Sequence, residues 1–328
     1  MKLSIVIPMY NAGPYIEKCV RSCLRQSLGK DDYEIIIVDD GSTDGSYDSV
    51  SKLIDGLSPD TVSVRLFSQA NSGPSVARNL GLSEAQGEYI WFVDADDWLE
   101  ENCIGPMLEE VSGSDILAFG MNNFTVSDEL DSTFKYKAEG KMSGPSFVLK
   151  TNEKLKLCAP LYLFRREFLR ANDLKFHPGI FHEDVDFIPR AVYQAENVVV
   201  SDIIPYRRLI HPGSITQTVN PRRTLDLVFI LGRLKEYRDG RAMEKASSKA
   251  LNSLMSNIAH IACSLAEQTS KKDIDEFKTA ISGYHWLKGV LLGSLQLKYR
   301  LEGFLLSLFP GHLYEIHHFL MKFKRVSR

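Results

Sequence analysis

The sequence predicts an α/β protein: a mainly parallel, twisted sheet flanked by helices, followed by a helical C-terminal extension. Three observations predict it. Apolar runs of strand length alternate with stretches of helical period, acidic or turn-rich segments follow directly on three of those runs, and beyond residue 221 only helical spacing recurs.

The elements follow in order. Leu3 to Pro8 is a continuous apolar run, suited to a strand buried on both faces, and Asn11, Gly13 and Pro14 turn the chain after it. Tyr15, Ile16, Cys19, Val20, Cys23 and Leu24 then repeat at helical spacing. Glu34 to Val38 forms a second buried strand ending in Asp39 and Asp40. A helix after Gly45, a strand near Val62 to Phe67, a helix from Pro74 to about Gln86 and a strand from Tyr89 to Val93 continue the alternation. From Asp115 the pattern loosens to a strand at Ile116 to Phe119, a polar stretch to Gly144 and a helix-like segment before Leu161. Phe181 to Tyr193 reads as a further helix. Leu227, Ile230, Leu231 and Leu234 open the helical remainder.

The 328 residues include 44% hydrophobic ones, enough for a packed core in one large domain with an appendage. A net charge of -3 excludes the strongly basic face of a general nucleic-acid binder. The five cysteines are scattered without a CxxC pair, which predicts reduced thiols, and Cys19 and Cys23 fit a helix core. With the first strand beginning at Leu3 and no apolar run of membrane-spanning length, the expectation is a cytoplasmic protein.

In a parallel sheet, ligands bind beyond the carboxyl ends of the strands, so the segments Pro8-Met9-Tyr10-Asn11, Asp39 to Asp44 and Asp94-Ala95-Asp96-Asp97 should converge on one crevice. Carboxylates clustered there repel one another unless a cation intervenes. Mg2+ or Mn2+ suits such oxygens and leaves positions for phosphate oxygens, making a diphosphate the natural companion. An isolated Asp-x-Asp is usually a solvated loop, and its place after a buried strand favours the metal here. Asp40 sits at a strand end and suits a ligand role, whereas Asp44 is better placed to cap the next helix. Arg78, in Asn71 to Asn79, suits a diphosphate or a base edge, against the ordinary alternative of a solvated helical arginine. Glu183 and Asp184 precede an apolar helix face, where they can cap it or serve as a general base.

Taken together, SIVIPMYNAGPYIEKCVRSCLRQS, EIIIVDDGSTDGS, NSGPSVARNLGL, GEYIWFVDADDW and LKFHPGIFHEDVDF resemble glycosyltransferase family 2, over roughly residues 1 to 216. The resemblance implies a GT-A fold, with a nucleotide-sugar half at 1–114, an acceptor half at 115–216 and a helical extension at 217–328. It implies a UDP-sugar whose base lies between Pro8 to Asn11 and Asp40, with Arg78 nearby. Asp94 and Asp96 match the family's Asp-x-Asp, expected on ribose and metal, with Ala95 between them and Asp97 as a further metal ligand. Asp184 matches the general base, with Glu183 beside it. The reaction implied is inverting transfer of one sugar to a glycan hydroxyl, with surface-polysaccharide assembly (O-antigen or capsule) as the setting and an undecaprenyl-diphosphate-linked glycan as one acceptor. The Gln-x-x-Arg-Trp signature of processive synthases is missing, which predicts one sugar per encounter. The segment Tyr206 to Ile215 resembles a family loop of uncertain register, whose His211 can approach the metal or diphosphate or be an ordinary loop histidine.

A nucleotidyltransferase would also join an acidic metal site to a nucleotide, but the first loop lacks the Lys or Arg such enzymes carry. A non-catalytic nucleotide-sugar-binding module is the remaining alternative. Residues 284–328 hold seven Lys or Arg against two Glu, ending in Lys322, Lys324, Arg325 and Arg328. This tail fits an anionic membrane face, a cap on the catalytic domain or a homodimer contact.

Overall fold

The computed structural model describes residues 1–151, 155–211 and 220–326. The chain divides into two compact units, one comprising 1–147, 156–179 and 183–214, the other 148–155, 180–182 and 215–328.

The first unit opens with β1 (Leu3–Met9), α1 (Ile16–Leu24), β2 (Tyr33–Asp39), α2 (Ser46–Asp55), β3 (Ser63–Ser68), α3 (Pro74–Glu84) and β4 (Tyr89–Phe92). Every residue of β2 is buried, and β1 is buried but for Pro8. That explains why both read as unbroken apolar runs. Pro74 starts α3 after Gly73, whose φ of 89° requires glycine. Gly81 lets α3 press onto β1, since a Cβ there would stand 2.3 Å from Val6 Cγ1.

The chain continues through β5 (Trp98–Leu99), α4 (Ile104–Val111), β6 (Ile116–Ala118), β7 (Met121–Thr125), β8 (Leu130–Phe134), β9 (Gly140–Met142) and α5 (Gly144–Thr151). A 3-10 turn at Ala159–Leu161 leads into β10 (Tyr162–Arg165), α6 (Arg166–Ala171), α7 (Glu183–Gln194), β11 (Val198–Val200) and β12 (Tyr206–Ile210). The main sheet has the order β3-β2-β1-β4-β10-β6-β11-β9, and a smaller one runs β5-β12-β7-β8. Neighbours from β3 to β4 are all parallel. Beyond β4 the sheet is mixed, because β10 lies antiparallel to both β4 and β6. The expected polar stretch before Gly144 in fact holds β7, β8 and β9. The exposed faces of β8 and β9, and the polar residues of the half-buried β7, remove the apolar runs by which a buried strand is recognised.

The second unit is helical: α8 (Arg222–Asp239), α9 (Lys245–Ala266), α10 (Lys271–Ser282), α11 (Leu287–Leu292), α12 (Leu297–Leu308) and α13 (Leu313–Val326). Ser270 and Asp273 form a capping box at the start of α10. Among the described residues, no helix is long and apolar enough to cross a membrane. Residues 212–215 of the loop containing His211, and Arg328 of the tail, lie outside the described residues.

Candidate active site

The parallel half of the sheet delivers its strand ends to one edge. Asp94 to Asp97 leave β4 in a turn closed by the Asp97 N–H on the Asp94 carbonyl at 3.1 Å. The three aspartates then meet different fates. Asp97 is buried, accepting the Tyr206 hydroxyl at 2.5 Å on one oxygen and the Leu209 N–H at 2.8 Å on the other. Burial, with Asp96 and Asp94 adding repulsion, pushes its carboxyl well above the usual range. Tyr206 and Leu209 thus hold Asp97, the third expected metal ligand, between the turn and β12 with one donor on each oxygen. Tyr206 also accepts the Asp94 N–H at 3.2 Å, so one hydroxyl sets two of the turn's residues.

Asp96 points elsewhere. Its Oδ2 lies 2.9 Å from Nε2 of His211, whose Nδ1 lies 3.4 Å from the Tyr15 hydroxyl. Burial and the charge of Asp94 raise the Asp96 carboxyl, while His211 lowers it. A divalent cation relieves that repulsion, and a carboxylate beside an imidazole suits Mn2+ or Mg2+ with phosphate oxygens completing the shell. The donor set thus fits the implied metal through Asp96 and His211. His211 is a buried site residue here, and the chain between it and β12 is continuous with the strand that holds Asp97.

Asp94 accepts Arg78 Nη2 at 2.8 Å, and Nη1 of the same guanidinium donates to Glu183 at 2.5 Å. Arg78 is only 4% exposed. Burial works against its charge, but Asp184, Asp94 and Glu183 overcome that and hold it firmly protonated. It is not a solvated helical arginine: its two terminal nitrogens join the β4 turn to the start of α7.

Asp184 is the exception in the cluster. Its Oδ2 accepts the Ala159 N–H at 3.1 Å. Its Oδ1 is buried and has no hydrogen-bond partner among the described residues, the Arg78 Nη1 being 3.9 Å away. Burial pushes this carboxyl up to about 7, with Arg78 pulling it down and Glu183 and Asp94 pushing it up. Ala159 is itself positioned from the core: the indole N–H of the fully buried Trp91 donates to the adjoining Pro160 carbonyl at 2.8 Å.

The first loops form the other side. Tyr10 is exposed, and Asn11, at φ 48°, accepts the Thr43 N–H at 2.8 Å while its own N–H donates to Ser42. Pro8 and the buried Met9 lie at the end of β1, where the Met9 carbonyl accepts the Asp40 N–H. Asp40 was expected to be available to a base. Its carboxylate accepts the Ser72 and Gly73 N–H groups, each at 2.8 Å, and Gln69. Those donors make it the organiser of the turn before α3. Asp44 accepts the N–H of Ser46, the first residue of α2, and that of Gly13. Ala95 is buried between its two aspartates.

Sequence reasoning overlooked Tyr206, Ala159 and Tyr15. None stands in an acidic motif, and each reaches the site through folding over long separations.

With this geometry established, comparison with known proteins is decisive at one point: the profile of glycosyl transferase family 2 matches residues 4–171. The chain belongs to glycosyl transferase family 2. It is 32% identical over 222 residues to EpsJ, an uncharacterized glycosyltransferase of Bacillus subtilis (strain 168), covering 66% of this chain and 63% of that protein. To glycosyltransferase GlyG of Streptococcus pneumoniae serotype 4 (strain ATCC BAA-334 / TIGR4) it is 31% identical over 231 residues, 66% of this chain and 73% of the relative. The chain therefore spans less than two thirds of the length of EpsJ.

The crystal structure of S. aureus TarS 1-349, solved alone and in complex with UDP-GlcNAc, has a TM-score of 0.77 at 20% identity, covering 98% of this chain and 92% of that one. That likeness establishes the GT-A fold. The match to glycosyl transferase family 2 takes in Asp40, Arg78 and Asp94 to Asp97 but stops short of Glu183, Asp184 and His211. Those three join the site through their contacts with Arg78 and Asp96.

Proposed function

We propose that the chain is an inverting, metal-dependent glycosyltransferase that moves one sugar from a UDP-sugar to a hydroxyl of a glycan acceptor. The observation that carries this reading is the bare Oδ1 of Asp184. It is a buried carboxylate oxygen without a donor among the described residues, next to the arginine that grips the Asp-x-Asp turn.

An alcohol is a poor acid, and a carboxyl poised near neutral pH is a suitable base for it. Oδ1 would accept the hydroxyl proton as that oxygen attacks the anomeric carbon from the face opposite the diphosphate, inverting the configuration. Ala159 holds the other oxygen of Asp184, and Arg78 keeps the start of α7 registered to Asp94. Asp96 and His211 would hold Mn2+ or Mg2+, which when bound stabilises the charge growing on the departing diphosphate. Asp94 is left to the ribose side of the donor, with Pro8, Met9, Tyr10, Asn11 and the turn organised by Asp40 around its base. In this reading Asp97 and Tyr206 position the turn and touch no substrate.

UDP as the nucleotude carrier is supported by the fold shared with TarS, which binds UDP-GlcNAc. The full TarS protein of S. aureus is a poly(ribitol-phosphate) beta-N-acetylglucosaminyltransferase, and this supports a bacterial surface polymer as the acceptor class. O-antigen or capsule, built on a lipid-linked glycan, is the setting we favour. On α12, Leu297, Leu301, Phe304 and Leu308 are all exposed at the spacing of one helix face, beside Lys298 and Arg300. We read this as a contact with an anionic membrane surface. Sedimentation with phosphatidylglycerol vesicles but not with phosphatidylcholine vesicles is the expected result, and equal recovery in both supernatants would remove it.

The functional reading is tested by thermal shift with UDP-, GDP-, CDP- and dTDP-sugars, with and without Mn2+. Stabilisation by a UDP-sugar should need the metal and disappear in Asp96→Ala. Metal-independent stabilisation by another nucleotide sugar would contradict it.

A further inference from the structure

We propose that the helical unit carries a structural zinc site formed by His260, Glu302 and His317. These side chains come from α9, α12 and α13, and one ligand atom from each lies within 4.8 Å of the others. Glu302 and His317 are 5% and 1% exposed, so the carboxylate and one imidazole are out of water. A charge in that position needs a counter-charge.

The ordinary alternative is a protonated histidine paired with the glutamate, and the geometry does not suit it. His260 Nδ1 stands 3.6 Å from Glu302 Oε1, longer than the roughly 2.7–2.9 Å of a charge-assisted hydrogen bond. The Nδ1 atoms of both His260 and His317 are buried without a hydrogen-bond partner among the described residues. The two rings meet edge to face with centroids 4.1 Å apart, bringing a second imidazole to the same carboxylate. A cation would use both nitrogens and the carboxylate at once.

A second contact prepares His317 for that role. Its Nε2 lies 3.2 Å from the Ser264 hydroxyl, one turn along α9 from His260. With the proton on Nε2 and donated to Ser264, Nδ1 presents a lone pair, which is how outer-shell partners usually set a metal-bound histidine. Two imidazoles and one carboxylate form a borderline donor set suited to Zn2+. Tetrahedral zinc holds its ligand atoms about 3.3 Å apart, so binding would draw the three together from within 4.8 Å. His260, the most exposed of the three, leaves room for water as the fourth ligand. The ion would clamp α9, α12 and α13 together.

The test uses the full chain, stripped with EDTA and titrated with Zn2+ against a chromophoric chelator, and in parallel with Co2+ followed by visible absorption. Asp96→Ala, which lacks the catalytic metal site, should bind one equivalent with the intense bands of tetrahedral cobalt, wild type should show the same bands besides any ion held at Asp96, and Zn2+ should raise the melting temperature of both by several degrees. Glu302→Gln should lose the bands and the shift. Ser264→Ala, which keeps all three ligands, should weaken binding by about ten- to a hundredfold. Wild-type protein that takes up no Zn2+, or only Zn2+ that Asp96→Ala abolishes, would overturn the site even if the Glu302 variant failed to fold. So would Glu302→Gln binding as wild type does.

Discussion

The Asp97 bracket and the Asp184 cluster are both buried carboxylate sites in the same unit, and the protein completes one while leaving the other open. Around Asp97, Tyr206 and Leu209 fill both oxygens. Around Asp184, Ala159 fills one oxygen and nothing among the described residues fills the other. Burial raises both carboxyls, so desolvation alone does not distinguish structure from chemistry. The number of satisfied lone pairs does. A buried acceptor without a donor costs stability, and a protein tolerates it most readily where a substrate hydroxyl will supply the missing proton.

The largest expected effect breaks the open side of this comparison. Asp184→Asn keeps the shape and removes the base, so the transfer rate should fall about a hundred- to ten-thousandfold while UDP-sugar binding persists. Parallel turnover and calorimetric measurements check this, and unchanged turnover would remove the assignment. The closed side should respond in stability first. Tyr206→Phe strips one donor from a buried carboxylate and should cost about 1–3 kcal/mol in denaturant unfolding. A loss of activity without any loss of stability would instead place Tyr206 in contact with the substrate.

The legible and illegible parts of the molecule divide along the same line. β1, β2 and β4 were readable because each is buried on both faces and announces itself as a local apolar run, and the half-exposed β3 followed from the alternation around it. The parallel half and the acidic turn after β4 followed from that. β10 was not readable as a sheet-centre strand, since its neighbours β4 and β6 are distant in sequence and its antiparallel direction has no local signature. The site shows the same limit. Asp94, Asp96 and Asp184 were visible as residue types at strand and helix ends. What each carboxylate is bonded to depends on Tyr206, Leu209, Ala159 and Ser72, brought in from elsewhere in the fold. Hence the hydrogen bonds that fix Asp40 and Asp97 inside the fold, and the burial of Arg78 among carboxylates, were not legible from the motifs that made all three candidate ligands.

The most direct test of the central claim is the pH dependence of kcat/KM at saturating Mn2+. Burial sets the Asp184 carboxyl at about 7, and the base works only when deprotonated. The rate should therefore climb about tenfold per pH unit below 7 and level off above it, and the residual rate of Asp184→Asn should lack that limb. An identical acid limb in the variant would show that another group takes the proton.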